Sequence, residues 1–261
     1  MRRAFIDDQS FEREDVKYSC PEVLTINAAD YQKLTDMEEL TPRFITEDSK
    51  KRRLMYLSDL QRKGDEDVFE GSSEEFLATL DMKLTIAPVQ KGDLERVEEL
   101  TLRTNQLNST GYTYDFDELE SFITSEKHTF LIAGLDDKYG TYGKIGLVLL
   151  EEMDDVIEIK LLLMSCRVMT RGIGSALLIH IVKLARERGK KLRAQFVSTS
   201  RNRVMYITYK LMGFEEAEEA RAPGNDSKDN DSAGGEAEVE ILEYRGEANR
   251  EYPGYLHVIV K

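Results

Sequence analysis

The run Ser165-Cys166-Arg167-Val168-Met169-Thr170-Arg171-Gly172-Ile173-Gly174-Ser175-Ala176 places two kinds of chemistry in one short segment. Gly172 and Gly174 let the backbone come close to an anion. The free N–H groups at a helix start, with the helix dipole, then favour negative charge. Arg171-Gly172-Ile173-Gly174-Ser175-Ala176 is therefore a candidate phosphate grip, with Arg171 either on the ligand or in solvent. For the glycines the alternative is a tight turn with close helix packing. Cys166, at the end of the preceding apolar run, is a candidate nucleophile. A thiolate there attacks an acyl phosphate or thioester and gives an acyl-enzyme. Arg167, Arg171 and a helix N-terminus would lower its pKa. Its alternative is a small buried hydrophobe.

These residues need a strand before them and a helix after them. The apolar run from Val156 to Met164 reads as the strand. Gly172 to Arg188 reads as the helix, with a broad apolar face through Ala176, Leu177, Ile179, Ile181, Val182 and Leu184, and Gly189 as its stop signal. Upstream, Leu84 to Ala87 alternates as a strand, and Gly92 to about Thr104 is an amphipathic helix through Leu94, Val97 and Leu100. Phe116, Leu119, Phe122 and Ile123 mark a second helix. Thr129 to Leu135 and Lys144 to Leu150 are strands joined by hairpin turns. Downstream come a strand from Leu192 to Ser198, a helix from Asn202 to Met212 and a final strand from Tyr255 to Val260. Between the last two, residues 220–237 are Gly, Ser, Asp, Asn and Glu and are expected to form a disordered acidic insertion.

The first 80 residues differ in texture. Phe5 to Asp8 and Pro21 to Ile26 read as short strands, and Phe11 to Lys17 as a turn or two of helix. A capped helix runs from Ser49 to about Lys63, with Leu54, Leu57 and Leu60 as its expected buried stripe. Ser72 to Leu80 starts as another capped helix.

Composition narrows the function. The chain has 261 residues, is 41% hydrophobic and carries a formal net charge of -14, which argues against a nucleic-acid partner. Residues 215–251 hold 13 acidic against 4 basic residues, so most of the excess sits there. Lys50-Lys51-Arg52-Arg53 and Arg186 to Arg193 read as solvated helix faces or ends. There is no membrane-length apolar run and no secretory signal. Two cysteines in unlike contexts give no disulfide framework, so a cytoplasmic setting is the simplest reading. His128, His180 and His257 show no metal spacing, and no metal is expected.

The order strand, two helices, three antiparallel strands, helix, strand, helix, strand, strand resembles the GNAT acyltransferase fold. That is an α/β fold with a mixed, mostly antiparallel sheet and helices on both faces. Arg171 to Ala176 resembles the family's acyl-CoA pyrophosphate loop, and Asn202, Tyr209, Gly213 and Phe214 match its later Asn, Tyr, Phe pattern. The resemblance implies that Gly172, Ile173, Gly174, Ser175 and Ala176, with Arg167 and Arg171, hold either the pyrophosphate of acetyl-CoA or another acyl-CoA, or the phosphate of a carrier's phosphopantetheine arm. It places Cys166 where splayed strands admit the thioester. It makes Asn202 a ligand to the pantetheine arm, a helix cap or both. It makes Tyr209 the acid that protonates a leaving thiolate, against a half-buried aromatic. Thr104, Asn105, Gln106 and Asn108 would close over the acceptor, or simply end a helix. Glu158 would act through water as a base, or face solvent.

A narrower resemblance covers nearly the whole chain. Phe5 to Glu14 is similar to the end of a HAD-type phosphatase domain. Leu100 to Asn108, Asp136 to Gly143 and Met164 to Arg167 are similar to FkbH-like proteins, which fuse such a phosphatase to a GNAT-like domain and load a glyceryl group from 1,3-bisphosphoglycerate onto an acyl carrier protein. On that basis residues 1–80 are a HAD-like remnant with a helical linker, and residues 81–261 the GNAT-like domain. The phosphatase's Asp-x-Asp is absent, and Asp7 and Asp8 alone cannot form its site. Three functions follow: acyl transfer to a carrier thiol in polyketide-type biosynthesis, with an acyl carrier protein and a separate phosphatase chain as partners; acetyl-CoA-dependent N-acetylation of a small amine; or a non-catalytic module of a biosynthetic complex.

Overall fold

The structure is a computed structural model, and it describes residues 3–41, 45–217, 239–247 and 249–261. The expected acidic insertion at 220–237 lies outside the described residues. The chain divides into two compact units, Met1–Ile45 and Thr46–Lys261.

In the smaller unit, strand β1 (Arg3–Asp7), helix α1 (Ser10–Ser19) and strand β2 (Val23–Asn27) form a parallel βαβ hairpin. The Asp7 carboxylate accepts the Gln9 N–H at 2.8 Å, closing the turn into α1. Asn27 accepts from Ala29 N–H and opens a 3-10 stretch, Ala28–Asp36.

The larger unit holds short helices α2 (Glu47–Lys50), α3 (Arg52–Asp67) and α4 (Ser73–Ala78), then strand β3 (Met82–Pro88) and helices α5 (Leu94–Arg103) and α6 (Phe116–Thr124). Strands β4 (His128–Asp137), β5 (Gly140–Glu152) and β6 (Val156–Met164) follow. Next come helix α7 (Ile173–Glu187), strand β7 (Lys191–Val197), helix α8 (Arg203–Met212) and strands β8 (Phe214–Glu216), β9 (Val239–Tyr244) and β10 (Leu256–Val260). The sheet order is β10-β3-β4-β5-β6-β7-β9-β8, parallel only at β10/β3 and β6/β7. Alternation along the central strands feeds two cores. Val148, Leu150, Ile159 and Leu162 pack with α7 and α8 on one face. Leu147, Leu149, Leu161 and Leu163 pack with α5 and α6 on the other. This is the mixed, mostly antiparallel sheet with helices on both faces that the GNAT fold predicts.

The division after residue 45, rather than after 80, has a physical cause. Arg62, 2% exposed, makes a bidentate pair with the fully buried Asp137 side chain at 2.5 and 2.9 Å, under the Tyr142 ring. Asp48 accepts the Lys144 N–H and pairs with Arg96, both near 2.9 Å. These contacts fasten 46–67 to the β4–β5 hairpin and α5. They also turn α3 over: Met55 and Arg62 face inward, whereas Leu54, Leu57 and Leu60 are 65%, 46% and 51% exposed. The three-residue leucine spacing marked a solvent face, because an ion pair decides which side of α3 is buried.

Residues 249–255 form a strap over α7. Arg186 bonds Asn249, Lys183 pairs with Glu251 at 3.2 Å, and the Tyr252 hydroxyl lies 3.4 Å from His180. The strap ends at Tyr255, beside Gly172, and delivers β10 to the far edge of the sheet.

Candidate functional site

Ser165 caps a single 3-10 turn, Cys166–Val168, that leads off β6. The chain then reaches Gly172, whose φ of 72° is left-handed and suits glycine. A Cβ on Gly172 would strike the Tyr255 hydroxyl, and one on Gly174 would come within 2.8 Å of Met164 Cε. No side chain caps α7, so its first-turn N–H groups at Ile173, Gly174 and Ser175 stay available as an anion site. Ile173 and Ala176 bury their side chains in the core and offer a ligand only backbone, while Ser175 is half-buried. Arg171 is spent elsewhere: it pairs with Glu66 at 3.0 Å and lies over the Phe76 ring. The backbone geometry fits a phosphate, and Arg171 stands in an ion pair rather than free in solvent.

Cys166 is exposed at the mouth of a cavity of about 650 Å³. Thr104, Asn105 and Gln106 line the same cavity, so the structure brings three of the four polar candidates to the thiol. Arg167 lines it too. Its guanidinium donates to Tyr142 O at 3.0 Å and Ser165 Oγ at 3.3 Å and contacts Met55 sulfur. Burial, and then the neighbouring Arg96 charge, hold its pKa below the ordinary arginine value.

The fourth polar candidate, Asn108, does something else. β6 and β7 pair only over Val156–Ile159 and Lys191–Ala194. Against β5, the register of β6 jumps from Leu161 to Ile159, leaving Lys160 as a bulge. Beyond it β6 and β7 part, and Leu107–Ser109 occupy the gap. Met164 N–H donates to Leu107 O at 2.9 Å, Ser109 N–H to Leu162 O at 3.0 Å, and Val197 N–H to Ser109 O at 3.0 Å. Leu162 N–H donates to the Ser109 hydroxyl at 3.1 Å. The buried Asn108 side chain accepts from Thr110 and Gly111 N–H and donates to Tyr112 O.

Asn202, also fully buried, locks this insert. Its amide donates to Asn108 O at 3.0 Å and Val197 O at 2.9 Å, and accepts from Thr199 N–H at 2.9 Å. Its side chain does not cap α8. The side chains of Asn108 and Asn202 thus hydrogen-bond backbone groups of the insert and of the loop before α8. Tyr209 is buried beneath them; its hydroxyl faces Ser109 but meets no partner at hydrogen-bonding geometry, and burial pushes its pKa far up. Here it is a core aromatic, edge-on to Phe214. Sequence spacing cannot reveal such an insert, because it depends on a contact across 94 residues.

The remaining candidates are structural in position. Glu158 is buried, accepting from Gln195 at 2.7 Å and Lys160 at 3.3 Å. His128 contacts Ser125 at 2.7 Å, burial lowers the pKa of His180, and His257 is exposed near Asp81. Among the described residues no helix is long and apolar enough to cross a membrane.

Residues 94–214 match the model of the Acetyltransferase (GNAT) family. No curated protein matches the chain. Among solved structures, the ribosomal-protein-S18-alanine N-acetyltransferase of Escherichia coli is 16% identical with a TM-score of 0.45, covering 62% of this chain and 92% of its own. Spermidine N-acetyltransferase of Vibrio cholerae, in complex with CoA and spermine, is 18% identical with a TM-score of 0.43, covering 61% and 94%. A GNAT family acetyltransferase of Elizabethkingia anophelis with acetyl-CoA bound is 19% identical with a TM-score of 0.41, covering 62% and 97%. The family match lies within the larger unit; the resemblance to phosphatase fusions rests on the sequence runs alone.

Proposed function

We propose that the GNAT acetyltransferase domain carried by this chain, an acyltransferase, takes acetyl-CoA as donor and acylates an amine held in the cavity at Cys166. The observation that carries this is the uncapped α7 N-terminus behind a left-handed Gly172, immediately downstream of that cavity's Cys166 wall. The N–H groups of Ile173, Gly174 and Ser175 would hold the coenzyme's pyrophosphate, and the Tyr255 hydroxyl stands beside them. The coenzyme supplies the activated acyl group. The chain's part is to bind its phosphates, orient the acceptor against Thr104, Asn105 and Gln106, and exclude water. Acetyl-CoA should raise the melting temperature by mass action. No shift at millimolar acetyl-CoA would overturn the reading.

The exposed thiol favours a second reading, in which Cys166 carries the acyl group as an enzyme thioester before passing it to an acceptor thiol, as a glyceryl-to-carrier transfer would require. That route would use an acyl carrier protein and a separate phosphatase chain as partners. Intact-mass measurement separates the readings: an acyl adduct lost in Cys166→Ala supports the thioester, and direct transfer without an adduct supports the amine.

A further inference from the structure

The chain is strongly acidic, yet the cavity at Cys166 is lined by Arg52, Arg96, Arg103, Arg167 and Arg201. The carboxylates that answer them are few. Glu99 serves three at once: Arg52 at 3.0 Å, Arg96 at 2.8 Å and Arg103 at 3.0 Å. Asp48 adds a second contact to Arg96, and Asp59 is taken by Arg62 at 2.5 Å. The hydrogen-bond partners of Arg167 are all neutral, a carbonyl, a hydroxyl and a thioether, with the Asp48 and Asp59 charges acting on it only through space. Arg201, on the loop into α8, makes no side-chain contact with a carboxylate among the described residues. Five guanidiniums therefore meet three carboxylates, one of them already engaged by a sixth arginine.

A guanidinium has five N–H donors. Arg167 uses three of them on weak or neutral acceptors and lines the cavity with two donors left over. Neutral acceptors do not offset the cost of holding a cation partly out of water as an anion does. Thr104, Asn105 and Gln106 add neutral polar groups to the lining, and Cys166 lies next to Arg167.

We infer that this cavity binds a small anion, a carboxylate or phosphate group of the acceptor, between Arg167 and Arg201, so that the acceptor is an anionic metabolite and not a polyamine. The inference rests on the cavity being the acceptor site proposed above, and it defines that acceptor's chemistry. The same pair would serve a free acid or a phosphate ester; the probes below distinguish them.

Cys166 supplies a local reporter, with Cys20 of the smaller unit as an internal control, since these are the two cysteines of the chain. The full chain is alkylated with iodoacetamide and each cysteine followed by peptide mass spectrometry. Malonate and inorganic phosphate are the probes, with sodium chloride of matched ionic strength and spermidine as controls. Saturable slowing at Cys166, with Cys20 unchanged, is expected from malonate, phosphate or both, and the stronger protector identifies the group. Arg167→Met or Arg201→Met should weaken the protecting anion roughly tenfold, the loss of one charge-assisted contact. Arg201 is exposed, so its variant remains informative if Arg167→Met misfolds. Equal Cys166 rates with and without both anions would overturn the inference, as would protection by spermidine or protection unchanged in both variants. Acetyl-CoA binding, read separately by thermal shift, reports on the α7 site: a shift without anion protection sinks only the anionic acceptor, and no shift sinks the donor assignment.

Discussion

Replacing Asn202 distinguishes a ligand contact from a structural lock. Its side chain makes three buried hydrogen bonds, to Asn108 O, Val197 O and Thr199 N–H, at 2.9 to 3.0 Å. In Asn202→Ala all three are lost and their partners stay buried. At about 1 kcal/mol for each, the larger unit should lose about 3 kcal/mol. For a unit of this size that is a fall of roughly 6–12 °C in melting temperature. Asn202→Asp sharpens the test: it keeps the shape and the bond from Thr199 but turns an oxygen towards two carbonyls, so it should be at least as damaging. Urea and thermal unfolding of the full chain read both variants without ligand. If Asn202→Ala melts within about 2 °C of the parent while its KM for acetyl-CoA rises, the lock is wrong and the contact is with ligand.

Four further outcomes follow. Gly172→Ala should cost about 1–2 kcal/mol for its left-handed φ and more for the collision with Tyr255, and should reduce the acetyl-CoA thermal shift; Tyr255→Phe in the same chain should restore only the steric part. Tyr209→Phe removes a buried hydroxyl without a partner, so urea unfolding should find it as stable as the parent or up to about 1–3 kcal/mol more stable, and a clear loss of stability would refute the described packing. Arg62→Met leaves Asp137 buried and unpaired at a cost of about 3–5 kcal/mol, and adding Asp137→Asn should recover part of it in the same unfolding assay. Burial alone would raise the Glu99 carboxyl, but Arg96, Arg103 and Thr46 together hold it below its ordinary value. Its stabilisation is thus present above the ordinary carboxylate range and lost as pH falls through the depressed value, so Glu99→Gln should flatten the acid limb of a stability–pH profile.

The sequence was most legible where periodicity and local chemistry agree. Helix α7, its glycine entry, the β4-β5-β6 meander and α8 ended by Gly213 were all expected within a few residues, because apolar alternation and left-handed glycines are local signals. Three features escaped. The buried side of α3 was misjudged because Arg62 reaches Asp137 across 75 residues. The short edge strand β8 is only Phe214–Glu216 and carries little pattern of its own. The hydrogen bonds of Asn202 reach the backbone of Asn108 and Val197, partners that residue type alone does not disclose. Thr104, Asn105, Gln106 and Cys166 did converge, since a helix end and a strand end on the same side of a sheet open onto one cavity.

The insert between β6 and β7 bears on every reading of the site. Leu107–Ser109 use the outward N–H and C=O of Leu162, the N–H of Met164 and the N–H of Val197 as an additional strand would. A ligand arm entering this gap would compete with the insert for these backbone groups. Entry would therefore exchange hydrogen bonds rather than create them, at little net cost for the backbone. The cost falls on Asn108, whose side-chain bonds to Thr110, Gly111 and Tyr112 hold the turn in shape. Withdrawal of that turn would free the Asn202 amide and uncover the Tyr209 hydroxyl, both of which now face the insert. Asn202, read in the sequence as a ligand or helix cap, and Tyr209, read as an acid, thus lie against one and the same short segment.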